Sequence, residues 1–184
     1  SNKWGRWYER FVCERGEDDG KNVNDLRLFV KPQYGVVTSV GPQHLATFGS
    51  MENILHEKMQ MIECLPANGI GFVNRDNPYI RSYSIQNTCQ IVGFGMCEDA
   101  DYRCMDIRYS EEGTSFTVVQ DNQSHSFHTR LLGKHNVVDN TCAIAVAHTL
   151  GVYWEIKALA DENLPYVEHR LRVRKSFGSL LDDA

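Results

Sequence analysis

The sequence predicts an α/β fold: a mostly parallel sheet flanked by helices, with a small antiparallel β-layer, followed by the start of a second α/β domain. Two observations carry this. Short apolar, β-branched runs alternate with helical periodicity as far as Gly95, the pattern of strands joined by crossover helices. Beyond Glu98 three alternating segments follow one another across short polar turns, the pattern of an antiparallel meander.

Taken in order, "RFVCE" (10–14) reads as a short strand, "RGEDDGKN" as a polar loop, and "VNDLRLFV" as a short helix closed by Pro32. "YGVVTSV" (34–40) is a continuous β-branched run, expected of a strand covered on both faces. After Gly41-Pro42, Ser50 is a helix N-cap candidate. "SMEN" falls one residue type short of a capping box, with Asn53 where an acid would reach back. Ile54, Leu55, Lys58, Met61, Ile62 and Leu65 form a helical stripe that ends at Pro66. "GIGFVN" and "CQIVGFG" are the next strands. "YRCMDIRYS", "TSFTVVQD" and "SHSFHTRLL" are the antiparallel strands, with "EEG" and "DNQS" as their turns. The helix "VVDNTCAIAVAHTL" stops at Gly151, a C′ glycine. A further helix, "WEIKALADEN", stops before Pro165, and "HRLRVRKSFGSLLDDA" reads as two strands around a Gly-Ser turn.

Composition narrows the function. The 184 residues carry a formal net charge of -5 and no basic block, which argues against a nucleic-acid surface. No apolar run approaches the roughly 20 residues of a membrane span, and the polar, aromatic stretch at 1–11 does not read as a signal peptide. Six cysteines lie apart without a CxxC pair. Reduced, mostly buried thiols in a cytoplasmic protein are expected.

Five places could carry chemistry. Glu14 ends the first strand, where open α/β sheets bind ligands and where a carboxylate can hold a hard cation; a solvated loop acid is the plainer alternative. His44 follows a strand on a Gly-Pro turn and could meet a metal or phosphate, or be structural. Lys58 sits within an apolar stripe, either snorkelling to solvent or held at an active site, where its amine could be carbamylated into an anionic ligand. Gly133, His135 and Asn136 precede a helix whose first N–H groups could receive a polar ligand; simple capping by Asn136 or Asp139 is the alternative. Arg170 and Arg172 share one face of a strand and suit phosphate contacts or a free edge. No GxxxxGK[ST] phosphate loop occurs.

In this order the segments resemble the Mur ligase family of ATP-dependent amide-forming enzymes. "ERGEDDGKNVNDLRLFVKPQYGVVTSVGPQHLATFGSMENILHEK", "LPANGIGFVNRDNP", "LLGKHNVVDNTCAIAVAHTLGV" and "VEHRLRV…LLDDA" carry the resemblance. "GPQHLATFGSMENI" and "EEGTSFTVV" are most similar to the branch, the MurF type, that joins D-alanyl-D-alanine to a UDP-N-acetylmuramoyl-tripeptide. The resemblance implies residues 1–165 as a central ATP-binding domain without its phosphate loop, and 166–184 as the hinge and first strands of a carboxyl-terminal domain. It implies ATP and Mg2+ as cofactors, and UDP-N-acetylmuramoyl-peptide and D-alanyl-D-alanine as partners. Glu14 and His44 would hold magnesium, with Lys58 supporting a second ion. Asn136, beside His135, would contact adenine. Arg170 would reach the terminal phosphate, and Asp183 would meet the nucleotide from the carboxyl-terminal side. The second asparagine of the adenine motif is Asp139 here, with Asn140 one place on; Arg15, Glu17, Ser39 and Arg172 also depart from the family pattern. A non-catalytic descendant of the fold, or another member resembling folylpolyglutamate synthases, is the alternative. The chain by itself, lacking the phosphate loop, is expected not to catalyse.

Overall fold

The structure, a computed structural model, describes residues 32–42, 48–152 and 154. Of the expected elements, the strand at 10–14, the helix at 23–30, most of the helix after Val152 and the paired strands of the tail lie outside these residues.

Six strands form one sheet in sequence order: β1 (Tyr34–Val37), β2 (Ile70–Asn74), β3 (Gln90–Gly95), β4 (Tyr102–Ser110), β5 (Gly113–Gln120) and β6 (Gln123–Thr129). β1, β2 and β3 are parallel, and β4, β5 and β6 are an antiparallel meander. The halves meet where β3 and β4 pair in parallel over only Phe94↔Tyr102 and Gly95↔Arg103. A parallel pair ordinarily needs a crossover of a dozen or more residues. Here residues 96–101 suffice, because β4 starts beside the end of β3 and runs onward.

Each face of the sheet has its own helix. α1 (Met51–Glu63) packs on β1 and buries Ile54, Met59 and Ile62 with Val37, Val73 and Cys89. α3 (Lys134–Thr149) crosses the opposite face over β2 to β5, burying Val137, Val138, Cys142, Ile144 and Ala145 against Phe72, Phe94, Phe116 and Val118. Phe72 and Val73 enter different cores, as the two-residue period of a strand requires. A short α2 (Pro78–Ser82) follows β2, an element beyond those expected, with Asn77 before Pro78 as its start signal.

Several expectations change. β1 ends at Val37, three residues early, and Tyr34 and Val36 are exposed, so this strand alternates instead of being covered on both faces. The buried stripe of α1 runs through Met59, with Leu55, Lys58 and Met61 half-buried at its margins. Ser50 caps α1 by accepting the Asn53 N–H at 3.2 Å, while the Asn53 amide turns to the Phe48 carbonyl at 2.8 Å instead of closing a box. α3 starts three residues earlier than expected. It ends as expected at Gly151, with φ +83°: Gly151 N–H donates to His148 and Val152 N–H to Ala147, both at 2.9 Å, a Schellman closure.

Candidate functional site

The β1–β2 ladder stops at Val37↔Val73, and the chain leaves β1 with its carbonyls unpaired by the sheet. Thr38 and Ser39 are exposed and Val40 is buried, so side chains or water can take these carbonyls. Three side chains from three elements take them in succession. Asn74, at the end of β2, donates through Nδ2 to Thr38 O at 2.8 Å. Lys58 Nζ, on α1, donates to Ser39 O at 3.1 Å. Asn77 Nδ2 donates to Val40 O at 2.8 Å. Asn77 also caps α2, its Oδ1 accepting from the N–H groups of Tyr79 and Ile80 at 3.1 Å.

The same four residues, Asn74-Arg75-Asp76-Asn77, hold the exit of β3. Asp76 accepts the N–H of Met96 and of Cys97. Gly95, at φ +148°, admits that carboxylate; a Cβ would stand 2.8 Å from it. Burial, then hydrogen bonds to Asp99 and Asp76, push the Cys97 thiol up to about 12. It stays protonated at neutral pH and is a poor nucleophile. Asp99 lies below the usual carboxylate range, first through its bond to Cys97. None of Asn74, Asp76 and Asn77 is among the site residues expected from the sequence. A polar run directly after an apolar strand, ending in Asn-Pro, was the available signal.

The mouth of α3 forms the second part of the site. Gly133, at φ +100°, is the N-cap, and no side chain caps the helix. The expected capping by Asn136 or Asp139 is therefore absent. Asn136 is fully buried and turns back, donating from Nδ2 to Leu132 O at 2.6 Å. Asp139 is exposed and lies beyond the first turn of the helix, too far along for its side chain to cap the start. His135 is exposed, its ring folded toward Gly133. Asn140 is half-buried, and its Nδ2 is buried without a hydrogen-bond partner. Thr114 Oγ1 donates to Leu131 O at 2.7 Å, and Thr114 faces Tyr109 near the end of β4. Since β4 runs on parallel to β3, α3 begins on the side toward which β1, β2 and β3 point. Lys58 and the mouth of α3 thus belong to one rim of the sheet.

Lys58, His135, Asn136, Asp139 and Asn140 are the expected site residues within the described chain; Glu14, His44, Arg170 and Asp183 lie outside it. Among the described residues, no group of three His, Cys, Asp or Glu could hold a metal, and no helix is long and apolar enough to cross a membrane. Among the described residues, Cys89, Cys97, Cys104 and Cys142 are free thiols.

Residues 2–147 match the family described as Mur ligase middle domain. The UDP-N-acetylmuramoyl-tripeptide–D-alanyl-D-alanine ligase of Bacillus subtilis is 31% identical over 94% of this chain and 37% of its own. The UDP-N-acetylmuramoyl-L-alanyl-D-glutamate–2,6-diaminopimelate ligase of Chlamydia caviae is 38% identical over 62% of this chain and 24% of its own. The chain therefore spans 37% and 24% of the length of these relatives. In fold it is similar to the MurF ligase of Thermotoga maritima, solved in complex with ADP: TM-score 0.72, 24% identity, covering 83% of this chain and 35% of that one.

Proposed function

This chain belongs to the Mur ligase middle-domain family, and we propose that it is the nucleotide-binding part of an ATP-dependent carboxylate–amine ligase of peptidoglycan-precursor synthesis, working in the cytoplasm. The amine is D-alanyl-D-alanine and the carboxylate that of a UDP-N-acetylmuramoyl-tripeptide. Likeness to the Bacillus subtilis enzyme over 94% of the chain favours this branch over the diaminopimelate-adding one, whose likeness covers 62%. In such a reaction ATP transfers its terminal phosphoryl group to the carboxylate. The amine then attacks the acyl-phosphate and inorganic phosphate leaves.

The observation that carries the nucleotide reading is the mouth of α3. It has a glycine cap and no side-chain cap bond, on the rim where Lys58 meets the end of β1, and nearly two turns further along the helix Asn140 carries a buried Nδ2 without a partner. Helix-start N–H groups without a side-chain cap, and an amide donor, fit the polar edge of a nucleotide. In this reading Asn136, His135, Asp139 and Asn140 surround the adenine, Arg170 reaches the terminal phosphate and Asp183 meets the nucleotide from the second domain, which begins at residue 166. The described residues do not form a magnesium site by themselves. Glu14 and His44 would hold the ion, with Lys58 contributing once carbamylated.

The test is phosphate release by the full-length protein given ATP, UDP-N-acetylmuramoyl-tripeptide and D-alanyl-D-alanine. Release should require all three substrates. Lys58→Ala should lower kcat by about a hundredfold or more, the scale of losing one charge-stabilising group. The 184-residue chain, without a phosphate loop, should be inactive alone. Nucleotide binding by the full-length protein without turnover on any precursor would replace this reading with the non-catalytic one.

A further inference from the structure

We propose that Asn74 and Asn77 are positioning residues for Lys58, acting through the Thr38–Val40 backbone; the inference rests on the ligase reading above. Lys58 is one of three donors on three consecutive carbonyls. Its acceptor, Ser39 O, lies between Thr38 O, held by Asn74, and Val40 O, held by Asn77. Residues 38–40 have no strand pairing of their own. The location of the Ser39 carbonyl, one of the groups that hold the Lys58 amine, follows from these two amides.

The two asparagines are themselves fixed. Asn74 Oδ1 accepts the Asp76 N–H at 2.9 Å, which sets its amide so that Nδ2 faces Thr38. Asn77 Oδ1 accepts two N–H groups of α2, which turns its Nδ2 toward Val40. In both, the oxygen is held within the segment after β2 and the nitrogen reaches across to the segment after β1. Asp76, between them, ties the same segment to β3 through Met96 and Cys97. One four-residue connection thereby sets the exits of both neighbouring strands, and Lys58 closes onto it from α1. Groups held to within a fraction of an ångström are what a reacting site needs, and small displacements from a distance are costly.

The chemistry of the bracket gives a clean variant. Asn77→Asp and Asn74→Asp keep the accepting oxygen, and aspartate caps a helix as well as asparagine, but each loses the N–H that holds a carbonyl. Circular dichroism and thermal melting should show both variants folded. Native labelling by an amine-reactive reagent, read by mass spectrometry against Lys134 as internal reference, should become about threefold faster at Lys58, as expected for a loosened contact. In the full-length protein kcat should fall about tenfold with KM for ATP nearly unchanged, the signature of lost positioning and not lost binding. Wild-type labelling at Lys58, or wild-type kcat in both variants, overturns the proposal. A wild-type protein inactive with ATP and every precursor overturns the ligase reading instead, and the labelling rates still decide whether the asparagines hold Lys58.

Discussion

The carboxylate of Asp76 receives the Met96 N–H on both oxygens, at 2.9 and 2.8 Å. It also takes the Cys97 N–H at 2.9 Å, in a setting half-shielded from water. Asp76→Ala leaves two backbone donors without an acceptor, which costs about 2–3 kcal/mol. Urea denaturation should show a lower midpoint with an unchanged slope. A loss below about 0.5 kcal/mol would mean that water replaces the carboxylate, as at ordinary surface sites.

Gly151 offers a nearly pure test of backbone conformation. Its φ is +83°, and an added Cβ would meet nothing within 4 Å. Gly151→Ala should therefore destabilise by about 1 kcal/mol through the left-handed conformation alone. Gly151→Asn should recover part of this. Thermal melting of the three proteins gives the order.

Burial, followed by the charge of Asp139, pushes the Cys142 thiol from its ordinary 9.0 up to about 12. The folded protein keeps this proton where the unfolded chain has released it. The contribution is complete below about pH 9 and is lost as pH rises toward 12, by up to about 1.4 kcal/mol per pH unit. Stability measured from pH 8 to 10.5 should fall less steeply in Cys142→Ala than in the wild type. Parallel slopes would show that the thiol ionises alike in both states.

Asn140 separates stability from ligand binding. Its buried Nδ2 makes no hydrogen bond, so Asn140→Ala should change the unfolding free energy by less than about 1 kcal/mol. Under the nucleotide reading, the same substitution weakens ATP binding by about fivefold or more, the worth of one hydrogen bond in a site. Calorimetry on the full-length protein supplies the comparison. Asn136→Ala should do both, because Asn136 is fully buried and its amide holds Leu132 O.

What was legible in the sequence follows from periodicity. The first two strands of the meander are legible nearly to the residue, because alternation over "YRCMDIRYS" and "TSFTVVQD" is a local signal, whereas "SHSFHTRLL" runs three residues past the end of β6 at Thr129, where the chain turns toward α3. The Gly151 stop was legible for the same reason. The covered face of β1 was not, since "YGVVTSV" reads the same whether one side or both are packed. Nor was the true place of Lys58: helical spacing put it within the stripe, but its bond to Ser39, 19 residues away, depends on the turn of α1 against β1. Asn74 and Asn77 reach 36 and 37 residues back along the chain. No window of local pattern contains such a contact, although the polar run ending in Asn-Pro marks the segment itself.

The two-pair junction between β3 and β4 has a consequence for how the chain assembles during synthesis. The meander closes through neighbouring segments and can form early, as local topologies do. The parallel half depends on longer loops and forms more slowly. α3 comes last in the described order and lies across both, with His148 Nδ1 2.8 Å from the Tyr102 hydroxyl beside the junction. It acts as a splint over a narrow weld. A nascent chain released before Thr149 would hold two half-built pieces, and cooperative unfolding should emerge only once the splint is in place.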